Sequence, residues 1–79
     1  MNEIKMGTYM YMKKWGNFYQ KVHVTNIYLE KYVNGWKPII KTQTDSGLIY
    51  SFFMGDLNYR IFMEMPEDGE LYVYKDGEE

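Results

Sequence analysis

The chain contains no cysteine and no alanine, and only two prolines, one histidine and one arginine in 79 residues. Without cysteine there is no disulfide framework and no thiolate-held zinc site. The same absence fits a reducing compartment, and the first residues hold no apolar stretch of signal-peptide length, so a cytoplasmic location is expected. Long hydrophobic runs are missing too. The most apolar window, Leu48–Met54, covers seven residues with a serine inside it, far short of a bilayer span, so no membrane partner is expected. The lack of alanine and the presence of only four leucines leave few strong helix formers.

Catalytic and ligand-holding signatures are absent as well. There is no Gly-rich phosphate loop, no GxSxG, no HExxH and no EF-hand loop. A Ser-His-acid triad would have to combine His23 with Ser46 or Ser51. Ser46 lies in an Asp-Ser-Gly turn, Ser51 in an apolar strand, and His23 alternates with Val22 and Val24 on another. Glu67, Asp68 and Glu70 cluster near a turn without the spacing of a calcium loop. The expectation is a chain that is not an enzyme and takes neither cofactor nor metal.

What is abundant is aromatic. Nine Tyr, four Phe and two Trp, with seven Met, supply much of a hydrophobic fraction of 46%. A chain of this length has room for one core and buries only roughly 60% of its unfolded surface. A single β domain over 1–79 is expected, with 76–79 as a frayed acidic tail. Gly and turn clusters recur at Trp15-Gly16-Asn17, Asn34-Gly35, Asp45-Ser46-Gly47, Gly55-Asp56, Pro66-Glu67-Asp68-Gly69 and Asp76-Gly77. Short runs rich in Tyr, Val, Ile, Phe and Thr lie between them. This predicts an all-β fold: a small antiparallel meander or partly open barrel of about six strands, built from consecutive hairpins. The alternative is α+β, with one short helix after Gly55.

Alternation assigns the faces. Met6, Thr8, Met10 and Met12 share one side and Gly7, Tyr9 and Tyr11 the other. Phe18, Val22 and Val24 oppose Tyr19, Lys21 and His23. After Asn26 the apolar parity changes to Ile27 and Leu29, which predicts a bulge or corner near Thr25–Asn26. Asn34-Gly35 predicts a two-residue type I′ turn with both residues at positive φ. That register sets Val33 opposite Trp36, Leu29 opposite Ile40 and Ile27 opposite Thr42, as a buried apolar stripe. Tyr32–Lys37, Glu30–Ile39 and Tyr28–Lys41 fall on the other side. Leu48–Met54, Tyr59–Met65 and Glu70–Lys75 read as three further strands. The turn at Pro66–Gly69 is expected to close with Gly69 in the left-handed region.

Charge divides the chain. Residues 1–41 carry a balance of +5 and residues 42–79 a balance of −7, for a net −2. Two candidate surfaces follow. The first is a basic aromatic face of Trp15, Tyr19, Lys21, Tyr28, Tyr32, Lys37 and Lys41, with Lys13 and Lys14 nearby. Tyr, Trp and Met in excess of what one small core can bury suit a protein interface. Lysines among aromatics also suit bases and phosphates of a single strand. The second is an acidic face of Asp56, Glu64, Glu67, Asp68 and Glu70, which could stand in for a nucleic acid on a basic protein.

Asn, Ile, Lys, Tyr and Phe, all with AT-rich codons, make up 32 of the 79 residues. This suggests an AT-rich genome, such as that of a low-GC bacterium or its phages, and a small, Tyr-rich, cysteine-free β-protein would suit a phage accessory role. The expectation is therefore a non-enzymatic protein-binding module, of the phage-inhibitor type, that antagonises a host or defence complex. A single-stranded nucleic-acid binder and an acidic nucleic-acid mimic are the alternatives. An exposed Tyr-rich sheet edge would also allow a homodimer.

Overall fold

The computed structural model describes residues 3–73. The expected tail at 76–79 and the end of the predicted strand Glu70–Lys75 lie outside the described residues. Six strands form one open sheet: β1 (Tyr9–Trp15), β2 (Phe18–Tyr32), β3 (Gly35–Gln43), β4 (Ile49–Phe53), β5 (Ile61–Phe62) and β6 (Glu70–Leu71). β1 to β4 are consecutive antiparallel hairpins, as the turn clusters predict. β5 returns to the free side of β1, giving the order β4-β3-β2-β1-β5. β6 lies parallel to the first residues of β2. The predicted strand over Tyr59–Met65 contracts to Ile61–Phe62. The segment after Gly55 is a 3-10 turn over Met54–Asp56, not a longer helix.

β4 and β5 end the strand order at opposite sides, yet residues 54–60 alone connect them. So short a link forces the sheet to bend back on itself. Asp56 helps to make the bend, because its carboxylate accepts a hydrogen bond from the Phe53 N–H at 2.9 Å and its carbonyl accepts from Arg60 N–H. Inside the curl, Met10, Met12, Val22, Val24, Ile40, Phe52 and Ile61 form the buried cluster. Of these, Met10, Met12, Val22 and Val24 are residues that alternation assigned to one side of β1 and of the first half of β2, and Ile40 lies on the apolar side assigned to the hairpin.

The parity change is also where alternation put it. The register slips between Val24 and Asn26, leaving Thr25 as the extra residue. Its hydroxyl donates to the Lys41 carbonyl at 3.3 Å, and the Asn26 side-chain oxygen accepts from Ile27 N–H at 2.9 Å. The bulge keeps Ile27 on the core side with Val22 and Val24.

The hairpin register needs correction. Tyr32 pairs with Gly35, Glu30 with Lys37, Leu29 with Pro38 and Ile27 with Ile40. The turn residues are therefore Val33 and Asn34, and Gly35 carries the positive φ, 122°, while Asn34 does not. From Asn26 to Tyr32, each residue of β2 faces a β3 residue two places from the one expected. A slip of two preserves every face, so hydrophobic alternation cannot detect it. The observed pairing sets Glu30 against a lysine and Ile27 against an isoleucine, both favourable cross-strand pairs.

Three residues expected to be buried are also exposed. Leu29 and Trp36 lie on the core side of the hairpin at 63% exposure each, and Val33 is exposed in the turn. β1 pairs with β2 no further than His23, and β4 pairs with β3 no further than Ile39. Val24 still exchanges backbone hydrogen bonds with Gly7 and Thr8, but beyond it and beyond Ile39 no further strand pairs with the hairpin, and Tyr32 reaches the body only through its ring on Phe53. Gly69 is not at positive φ. It is needed for closeness instead, since a Cβ there would lie 2.7 Å from the Met65 sulfur and 3.0 Å from the Tyr19 ring.

Candidate binding surfaces

The structure splits the basic aromatic set. Lys21, Tyr28, Tyr32, Lys37 and Lys41 share the outer face of β2 and β3, as alternation predicts. Tyr19 has the same parity but is buried, its ring edge-on to Phe62 at 5.6 Å and covered by Met65 and Gly69. It cannot meet a partner. Its burial follows from the crossing of residues 63–69 over the outer face on the way from β5 to β6. Trp15 moves to the other side. A register shift between Lys13 and Trp15 pairs Trp15 with Phe18, and the two rings lie 6.3 Å apart.

The outer face is quieter than its composition suggests. Lys21 Nζ sits 4.3 Å from the Tyr9 ring centroid, and Lys37 is the cross-strand neighbour of Glu30. The Tyr32 hydroxyl donates to the Glu30 carboxylate, and its ring packs on Phe53 at 5.5 Å. That hydrogen bond, then partial desolvation and the negative charge of Glu30, raise the Tyr32 pKa above the ordinary 10.0. His23 is half-buried beside Tyr9, with Nδ1 3.9 Å from Asp45 Oδ1. Among the described residues no hydrogen bond joins it to Ser46 or Ser51, and Ser46 exchanges one with Thr44.

The acidic set also divides. Asp56 is occupied with the turn after β4. Glu64, Glu67, Asp68 and Glu70 are exposed along the crossing segment, where the Asp68 carbonyl accepts from the Asn17 side chain at 2.9 Å. Among the described residues, no His, Cys, Asp or Glu cluster could hold a metal ion, and no helix is long and apolar enough to cross a membrane.

Two surfaces emerge that sequence reasoning did not assemble. One is the hairpin arm, in which Asn26–Tyr32 of β2 and Gly35–Pro38 of β3 leave the body of the sheet. From Ile40, the last fully buried residue of β3, to Trp36 the arm reaches about 14 Å at the usual strand rise. The molecule measures 39 Å along its longest axis. Leu29, Val33 and Trp36 line one side, with Lys31 Nζ 5.9 Å from the Trp36 ring. A signal for the arm existed in the lengths. β2 runs 15 residues and its partner β3 nine, whereas the strands that flank this pair, β1 and β4, run seven and five.

The other surface is a cleft of about 270 Å³ where the curled sheet fails to close, between the end of β1 and the edge of β4. Lys13, Lys14, Trp15, Tyr50, Ser51 and Arg60 line it over a floor of Met12 and Phe52. Residues so far apart in the chain meet only because the 54–60 link bends the sheet, so no local pattern could have shown them together. The sequence matches no family model, and comparison with curated proteins and with solved structures returns no match.

Proposed function

We propose that the chain is a non-enzymatic protein-binding module whose recognition element is the hairpin arm. One observation carries this reading. Leu29, Val33 and Trp36 continue the apolar side of the sheet past the point where any other strand covers it. Tryptophan is the residue type most often found at energetic hot spots of interfaces, and an aliphatic neighbour supplies the water-excluding contact around it. The arm also presents Tyr28 and Tyr32 on its second side. A partner that closes around the arm therefore meets aromatic surface on both sides. In this reading the chain acts by occupancy, as a small inhibitor of a larger host or defence complex does.

The test is affinity capture from host lysate treated with nuclease, run with the native chain and with a Leu29→Ser/Trp36→Ala double variant. The expected outcome is a defined protein retained by the native chain and lost at least about tenfold in the variant. Equal retention by both chains rejects the arm as the recognition element. Light scattering at tens of micromolar adds a second readout. A dimer that the double variant dissolves identifies the partner as a second copy.

A further inference from the structure

We propose that the cleft between β1 and β4 binds a phosphate-bearing nucleobase, either as a free nucleotide or as a unit of a single strand. The site is independent of the hairpin arm. Among the described residues its charge is one-sided: Lys13, Lys14 and Arg60 line it, and no carboxylate does. Among the described residues neither Lys13 nor Arg60 has an acidic partner, although the chain as a whole is net negative at −2. Three cations around a depression of low-dielectric wall concentrate positive potential there.

Charge alone would serve any anion. The aromatic lining narrows the class. Trp15 is 53% exposed at the cleft, so part of its ring system is open to a ligand. It is not a loose side chain. Tyr72 meets it edge-on at 4.9 Å, Phe18 lies 6.3 Å away, and Lys14 Nζ sits 5.9 Å from its ring. Lys14 Nζ is also 5.8 Å from Tyr50 and 5.4 Å from Tyr72, so this ammonium lies among three aromatic rings. An indole held in place with phosphate-reaching cations beside it is the arrangement on which unpaired bases stack. Arg60 is itself positioned, with its guanidinium carbon 5.8 Å from the Phe52 ring and its carbonyl accepting from Lys13 N–H at 2.9 Å. That backbone bond sets the two residues side by side at the cleft. The volume suits one base or one phosphate at a time, at the small end of ligand pockets.

Trp15 also supplies the readout. In a Trp36→Phe chain it is the sole tryptophan. The experiment titrates that chain with an oligodeoxythymidine of eight units, with thymidine monophosphate, with inorganic phosphate and with a polyglutamate peptide of matched charge. The oligonucleotide is expected to quench Trp15 saturably. Its affinity should fall with salt at a log–log slope near −0.7 per phosphate engaged. Lys13→Gln should weaken binding and lower that slope by about 0.7. Trp15→Leu, followed by fluorescence anisotropy of a labelled oligonucleotide, should weaken binding about tenfold or more. Lys41→Gln, on the outer face, should change neither affinity nor the quench.

Quenching by the monophosphate alone assigns a free nucleotide, and quenching by both assigns a site that also accepts a strand. Three results overturn the proposal: no quench by either nucleotide at millimolar concentration, equal binding of polyglutamate, or full affinity in Trp15→Leu. Because Lys13 is exposed, its variant tests the site without threatening the core, and a native circular dichroism spectrum confirms that.

Discussion

Tyr32 sits at the tip of the arm, paired with Gly35 beside the turn, but its ring reaches back to β4, so its hydroxyl chemistry reports on the contact between arm and body. It donates to Glu30, its ring lies on Phe53, and Ile39 is buried on the same outer face of the hairpin. The neutral phenol is the form that makes the hydrogen bond, and a nearby carboxylate disfavours the phenolate, so the pKa rises above 10.0 in the folded state. The sign for stability follows. A group whose folded pKa is raised contributes stability that is present below the unfolded value and is lost as pH rises through the folded one. Stability should therefore decline above pH 10.0 from this group, not in the neutral range. Tyrosine ring carbons labelled with ¹³C and followed by NMR against pH will show Tyr32 titrating above 10.0, and Glu30→Gln will bring it back toward that value. A Tyr32 curve that Glu30→Gln leaves in place would mean the contact does not persist in solution.

The β2–β3 hairpin carries both the clearest agreement between sequence and structure and the clearest departure. Its two strands, its bulge at Thr25 and its division into apolar and Tyr/Lys sides were all legible, because each depends on alternation within a few residues. The register was not, because Gly35 meets its need for positive φ as well beside the turn as within it. Burial was not legible either. Alternation gives a side, whereas burial needs a third strand, and how far β1 and β4 reach is decided by turns elsewhere. The same reason separates Tyr19, which a remote segment covers, from Tyr28, which stays 36% exposed. The cleft was the least legible of all, since Lys13, Tyr50 and Arg60 come from three elements. These distinctions predict a contrast between two hairpin residues on one face. Ile40→Ala, at a fully buried position, should cost about 2–5 kcal/mol. Trp36→Ala, with most of its surface already in water, should cost about 1 kcal/mol or less. Urea melts of both variants measure the difference. A Trp36→Ala cost equal to that of Ile40→Ala would show the arm folded against the body in solution.

At the scale of the molecule, one core holds a body of short strands, and a two-stranded limb extends from it. The buried cluster draws on β1, the first half of β2, the second half of β3, β4 and β5, and it ends at Ile27 and Ile40. Past that point the limb has cross-strand hydrogen bonds and pairs such as Leu29–Pro38, but no third layer. Isolated two-stranded ribbons are marginal in water. Pro38 lacks an amide and Lys31 and Lys37 are charged, so the limb's own edges resist pairing with other chains. Local opening of the limb should therefore cost far less than global unfolding, while the body opens only as a unit. Native-state hydrogen exchange measures this directly. The slowest amides of Leu29–Lys37 should exchange at least about a hundredfold faster than the slowest amides of Val22, Val24 and Ile40. Trp36→Ala should speed exchange in the limb and leave the body unchanged. Under that outcome, lost binding in arm variants reports on recognition, because the fold beneath is intact. If limb and body instead exchange at one common rate, the limb is part of the cooperative unit, and its exposed tryptophan is held as rigidly as the core.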